Sequence, residues 1–212
     1  MNIAEFKKFP LVGIVRGVPA DCLEPLLNAV ISAGLKTIEI TMNTEGAADL
    51  IKEAVKISKG RLTICAGTVL HTVDLRVALD SGATFIVSPV LVPDVVKACH
   101  DRKVPVFPGA LTPQEIYNAW EAGATMVKVF PAQIFGPAYF KEIRGPFDKI
   151  ELLACGGVRP QNVQEFLSSG ATAVAFGGSV FSKERFLNKQ FAQIEADVRL
   201  LVNSVQEAQG AL

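Results

Sequence analysis

Ala122-Gly123-Ala124-Thr125-Met126-Val127-Lys128-Val129-Phe130-Pro131 runs from the end of one helical stretch into a short apolar segment that carries a single lysine. Glycine just past a helix supplies the left-handed cap that ends it before a following strand. The same hinge recurs as Ser32-Ala33-Gly34, Ser81-Gly82-Ala83 and Ser169-Gly170-Ala171. Short β-rich runs repeat at Leu11–Val15, Thr37–Thr41, Leu62–Ala66, Thr84–Ser88, Val104–Phe107, Met126–Phe130, Ile150–Ala154 and Ala173–Phe176. Amphipathic stretches of helical period lie between most of them, among them Cys22–Ala33, Ala47–Ser58, Val73–Ser81 and Pro113–Ala122.

Runs that are apolar on both sides fit a parallel sheet covered on both faces. Alternation with helices implies right-handed crossovers between parallel strands. Eight such strands in 212 residues predict a single-domain α/β fold, a (β/α)8 TIM barrel over residues 1–212 with Glu184–Gln209 as its closing helix. No linker or low-complexity segment interrupts the pattern.

Half the residues are apolar, a fifth are charged, and 21 basic residues balance 21 acidic ones without a charged block. That balance argues against a nucleic-acid or anionic-membrane partner and leaves room for a small local anion site. Cys22, Cys65, Cys99 and Cys155 show no paired spacing, which fits reduced, mostly buried thiols and a cytoplasmic location. The first residues lack the regions of a signal peptide, and no apolar run reaches membrane-spanning length.

In such a barrel, chemistry belongs at the strand C-terminal ends and in the loops that follow. Burial disfavours the ammonium form of Lys128, lowers its pKa and leaves an amine able to attack a carbonyl; a head that escapes to solvent or pairs with a carboxylate is the structural alternative. Glu39, late in Thr37-Ile38-Glu39-Ile40-Thr41, is expected to point into the barrel, either as an acid–base group with a raised pKa or as the ion-pair partner of Lys128. Glu39 would raise the lysine pKa where burial and Arg16 lower it. Arg16, ending Gly13-Ile14-Val15-Arg16-Gly17, can grip a carboxylate or phosphate through its planar fork, or form a salt bridge at the mouth.

Ala66-Gly67-Thr68, Ser88-Pro89 and Pro108-Gly109 end the third, fourth and fifth strands as turns. Cys155-Gly156-Gly157-Val158 and Gly177-Gly178-Ser179 follow the seventh and eighth strands, where barrels bind phosphate on bare backbone N–H groups. His71 and His100, the only histidines, fall in helical stretches, and a zinc site or Ser/Cys nucleophile would want a richer set.

The ordered set Ile14-Val15-Arg16-Gly17, Glu39-Ile40-Thr41, Ala66-Gly67-Thr68-Val69, Ile86-Val87-Ser88-Pro89, Pro108-Gly109-Ala110-Leu111-Thr112-Pro113 and Val127-Lys128-Val129-Phe130-Pro131-Ala132 resembles the 2-keto-3-deoxy-6-phosphogluconate / 4-hydroxy-2-oxoglutarate aldolase family of class I barrels. Gly156-Gly157-Val158 and Gly178-Ser179 follow in the same order, so the resemblance covers nearly the whole chain. It implies that Lys128 forms a Schiff base with a ketoacid carbonyl, without a metal or other cofactor, while Glu39 moves protons. It further implies that Arg16, Thr68 and the Pro89 turn hold the pyruvate carboxylate, and that Gly156, Gly157, Gly178 and Ser179 receive the phosphate.

Two positions depart from the family pattern. Many relatives carry arginine where Asn43 stands, and many phosphogluconate aldolases carry threonine where Cys155 stands. With Asn43, carboxylate binding leans on Arg16, an arrangement that resembles the phosphogalactonate-cleaving relatives and some phosphogluconate ones. Cys155 lacks the hydroxyl that would touch the polyol part of the substrate and so leaves the C4 stereochemistry and the aldehyde open. The implied reaction is cleavage of 2-keto-3-deoxy-6-phosphogluconate to pyruvate and glyceraldehyde 3-phosphate, with 4-hydroxy-2-oxoglutarate as a smaller substrate and the galactonate epimer as the alternative. A phosphosugar isomerase, or a non-catalytic barrel that binds a phosphorylated metabolite, are the competing readings. The resemblance also implies a homotrimer.

Overall fold

Residues 1–210 are described by a computed structural model. Its strands are β1 (Leu11–Val15), β2 (Thr37–Thr41), β3 (Thr63–Gly67), β4 (Ile86–Val87), β5 (Val106–Phe107), β6 (Gly109–Ala110), β7 (Val127–Val129), β8 (Leu152–Cys155) and β9 (Ala173–Phe176). The helices are α1 (Ile3–Lys7), α2 (Ala20–Ser32), α3 (Ala47–Ser58), α4 (Thr72–Asp80), α5 (Pro93–Asp101), α6 (Pro113–Glu121), α7 (Pro137–Arg144), α8 (Pro160–Ser168), α9 (Lys183–Leu187) and α10 (Phe191–Gly210). The expected domain extends to residue 212; residues 211 and 212 lie outside the described residues.

All pairings are parallel, in the order β5-β4-β3-β2-β1-β9-β8-β7-β6. β5 and β6 are two pieces of one barrel strand on either side of Pro108, so the two ends of this order meet and the barrel is nearly closed. Proline has no N–H to give the ladder, and the strand breaks there. Its carbonyl still accepts the Lys128 N–H at 2.9 Å. The turn expected at Pro108-Gly109 is therefore an interruption, after which the strand resumes and pairs with β7.

The glycine hinges behave as the sequence implies. Gly34, Gly82, Gly123 and Gly170 have φ of +92°, +105° or values between, in the left-handed region that ends a helix cheaply only at glycine. Strands β1, β2 and β9 occupy their expected ranges, and the others differ by a few residues at their ends. The expected closing helix over Glu184–Gln209 is in fact two helices. Asn188 caps α9, and Lys189 at φ +51° turns the chain before α10 starts, which hydrophobic period alone does not reveal. His71 is also displaced from expectation: it precedes α4 in extended backbone as the N-cap, whereas His100 lies in the last turn of α5.

Two layers of apolar packing follow from strand alternation. Ile38 and Ile40 face outward into the layer shared with the helices, where Leu26, Leu27 and Val30 of α2 are also buried. Cys65, Phe85, Phe107, Met126, Leu153 and Cys155 face inward and fill the barrel. The lower end is plugged by Phe6 of α1, whose ring lies 6.3 Å from Phe85 and 6.0 Å from Phe107. Asn2 caps this short helix by accepting the Ala4 N–H at 2.9 Å, and Lys7 pairs with Glu151 beside the start of β8. No helix among the described residues is long and apolar enough to cross a membrane.

Candidate active site

Alternation along β2 sends Glu39 inward between its outward-facing isoleucine neighbours, and the register sets it beside Ile14 of β1 and Cys65 of β3. Alternation along β7 sends Lys128 inward between Val127 and Val129. Glu39 is 1% exposed and Lys128 is 6% exposed. Neither carboxylate oxygen of Glu39 has a hydrogen-bond partner, and the two side chains do not form a direct ion pair among the described residues. The carboxylate fits because β3 ends in glycine: a Cβ on Gly67 would sit 1.7 Å from Glu39 Oε1.

A carboxylate and an ammonium each lose several kcal/mol of hydration on burial, roughly, unless something compensates. Burial pushes the Glu39 carboxyl above its usual range, and the cations of Lys128 and Arg16 pull back without cancelling the effect. Burial pulls the Lys128 ammonium down, but Glu39, then Cys155 and Cys65, pull it up and prevail, with Arg16 opposing them. The opposing effects named from the sequence are all present, and their balance, which the sequence left open, falls on the side of Glu39. Lys128 Nζ also stands 5.5 Å from the centroid of the Phe130 ring.

Above Lys128 opens a cavity of about 370 Å3, in the range of small-molecule sites. Arg16, Thr68 and Pro89 line it from the ends of β1, β3 and β4. Gly156 and Gly157 line it after β8, and Gly178 and Ser179 after β9. Every site residue named from the sequence except Glu39 therefore lines this cavity. Asn43 is exposed and does not line it, whereas Cys155 does.

The supporting geometry is specific. Thr68 adopts φ +57°, a conformation that β-branched residues rarely hold without surrounding constraint. Ser88 Oγ donates to the Val69 carbonyl at 2.7 Å, tying the end of β4 to the loop that carries Thr68. At Gly157, a Cβ would lie 2.5 Å from Gln133 Cβ, so the turn admits only the bare backbone. Sequence reasoning missed Gln133, Phe130, Phe181 and Arg159, which also line the cavity. Of these only Arg159 left a signal, a charged residue two positions after the glycine pair and directly before Pro160.

An inward lysine and an inward carboxylate at the C-terminal end of a barrel, under a cavity with arginine and open backbone turns, can support amine attack on the carbonyl of an anionic ketoacid. Comparison with known proteins agrees with that chemistry. The family model for KDPG and KHG aldolase matches residues 3–196. A 2-dehydro-3-deoxy-phosphogluconate aldolase of Haemophilus influenzae is 33% identical over 186 residues, covering 87% of each chain. A 2-dehydro-3-deoxy-6-phosphogalactonate aldolase of Escherichia coli is 31% identical over 94% of this chain and 98% of its own. The solved structure of a native KDPGal protein superposes with a TM-score of 0.89 at 28% identity, covering 96% of this chain and 97% of that one. Site geometry, fold and sequence coincide, and the chain belongs to the KDPG and KHG aldolase family, class I pyruvate aldolases that act on carbon–carbon bonds.

Proposed function

We propose that this protein reversibly cleaves 2-keto-3-deoxy-6-phosphogluconate to pyruvate and glyceraldehyde 3-phosphate through a Schiff base on Lys128. The observation that carries this reading is the buried pair: Lys128 at the cavity floor, facing a Glu39 whose oxygens are unpartnered. Glu39 takes the proton that Lys128 must lose. The free amine then adds to the C2 carbonyl, and the carbinolamine loses water to give a protonated imine.

Removal of the C4 hydroxyl proton releases the aldehyde as the C3–C4 pair of electrons moves into the imine, forming an enamine. Protonation at C3 and hydrolysis of the imine return pyruvate and the free lysine. Arg16, Thr68 and the Pro89 turn hold the carboxylate, and this fixes the reacting carbon over Lys128. Gly156, Gly157, Gly178 and Ser179 receive the phosphate on backbone N–H groups.

The galactonate epimer is the second reading, favoured by Cys155 in the cavity wall where a hydroxyl would otherwise meet the polyol, and by Asn43 standing outside it. 4-Hydroxy-2-oxoglutarate lacks the phosphate and is a minor substrate. The four cysteines are free and buried, which supports a reducing compartment, the cytoplasm. Exposed Val90, Phe130, Ile134 and Phe135 supply apolar surface for the homotrimer implied by family resemblance.

Incubation with pyruvate and borohydride, followed by peptide mapping, tests the mechanism. The expected result is one reduced pyruvyl adduct on Lys128, absent from Lys128→Ala. No adduct under conditions that trap another class I aldolase would sink it. Relative kcat/KM for the two epimers then decides between the substrates.

A further inference from the structure

We infer that Arg159 is a specificity-determining residue that grips the far end of the substrate and selects a phosphate monoester there. This rests on the aldolase reading above. Three cationic residues, Arg16, Lys128 and Arg159, line the cavity, and no aspartate or glutamate does. Lys128 is buried at the cavity floor, and Arg16 stands at the end of β1. Arg159 follows the Gly156-Gly157-Val158 turn after β8, on the side of the cavity where the backbone cradle lies.

Stability does not account for an arginine at this position. Arg159 is the N-cap of α8, a place that favours Ser, Thr, Asp or Asn, whose oxygens accept from the first helical N–H groups. Arginine has no acceptor to offer, and its charge sits against the positive end of the helix. Its backbone is fully used: the Arg159 N–H donates to Asn162 Oδ1 at 2.8 Å, and Asn162 Nδ2 donates to the Gly157 carbonyl at 2.9 Å, fixing the turn. Its guanidinium has no ion pair or hydrogen bond among the described residues, and the residue is exposed.

An anion bound between the guanidinium and the glycine turn would offset the repulsion. The guanidinium fork and the open N–H groups would then share its oxygens. A phosphate monoester carries nearly two charges and three acceptor oxygens, so it gains more from this arrangement than an uncharged aldehyde tail.

The test compares glyceraldehyde 3-phosphate with unphosphorylated glyceraldehyde as partners for pyruvate, in the parent protein and in Arg159→Ser and Arg159→Lys. Serine is a preferred N-cap, so the first variant removes the charge while supporting the helix start. The expected result is a fall of about tenfold to a hundredfold in the kcat/KM ratio of phosphorylated to unphosphorylated partner in Arg159→Ser. Arg159→Lys should fall between that variant and the parent, and competitive inhibition by inorganic phosphate should weaken in parallel.

An unchanged ratio, or an equal loss with both partners and unaltered phosphate inhibition, overturns the inference. Pyruvyl adduct on Lys128 is measured in the same preparations. Adduct with an unchanged ratio removes Arg159 alone from the binding of phosphate. No adduct in the parent removes the aldolase reading, and this inference with it.

Discussion

Gly67 and Glu39 share one volume, and that sharing governs the proton chemistry. A methyl group on Gly67 would lie 1.7 Å from Glu39 Oε1, so Gly67→Ala must turn the carboxylate aside. The expected outcome is a loss of kcat of at least about tenfold, with overpacking costing about 1–3 kcal/mol in denaturant titration. Glu39 itself sets a pH limb. Its pKa is raised, so it becomes a carboxylate, and hence a base, only at higher pH than the roughly 4.3 of a free glutamate. Activity should fall on the acid side through a limb displaced upward from that value, and Glu39→Gln should erase the limb while lowering kcat. Lys128 and Glu39 were legible in sequence because a charge inside an apolar run is visible residue by residue. Gly67 was readable only as a turn, since its role depends on the cross-strand register of β2 and β3. The direction of the lysine shift was hidden for the same reason: it depends on what faces the amine across the barrel.

Elements differ in how far local pattern defines them. The glycine hinges and the exact ranges of β1, β2 and β9 were legible because each unit carries its own start and stop. The split of β5 from β6 was not, because a proline within a strand reads as a terminus until the neighbouring strand is known to pair beyond it. Nor was the break between α9 and α10, where the left-handed residue is Lys189 at φ +51° and the sequence offers only the lone Asn188 beside it as a turn signal. Left-handed backbone costs a non-glycine residue about 1–2 kcal/mol, partly offset by the flexibility glycine adds to the unfolded chain. Lys189→Gly should therefore stabilise the protein by about 0.5–1 kcal/mol, read as a rise of about 1–4 °C in Tm. The short helix α1 escaped sequence reading altogether, yet Phe6 closes the lower barrel. Phe6→Ala should cost about 3–5 kcal/mol of stability in denaturant titration.

At the scale of the whole molecule the formal charge is zero, but its distribution is uneven: the cavity wall carries Arg16, Lys128 and Arg159 and no acid. Attraction of a doubly anionic substrate is therefore local and is screened by salt. Raising ionic strength from about 0.05 M to about 0.5 M should increase KM for the phosphorylated partner severalfold and leave kcat nearly unmoved, a steady-state comparison that an unphosphorylated partner controls. The barrel also has polarity along its axis. α1 seals one end, with Phe6 inside and Lys8 exposed at its edge, while every loop that lines the cavity opens at the other. A protein attached to a solid bead through Lys8 would thus stand with its back to the support, every mouth turned to the flowing medium.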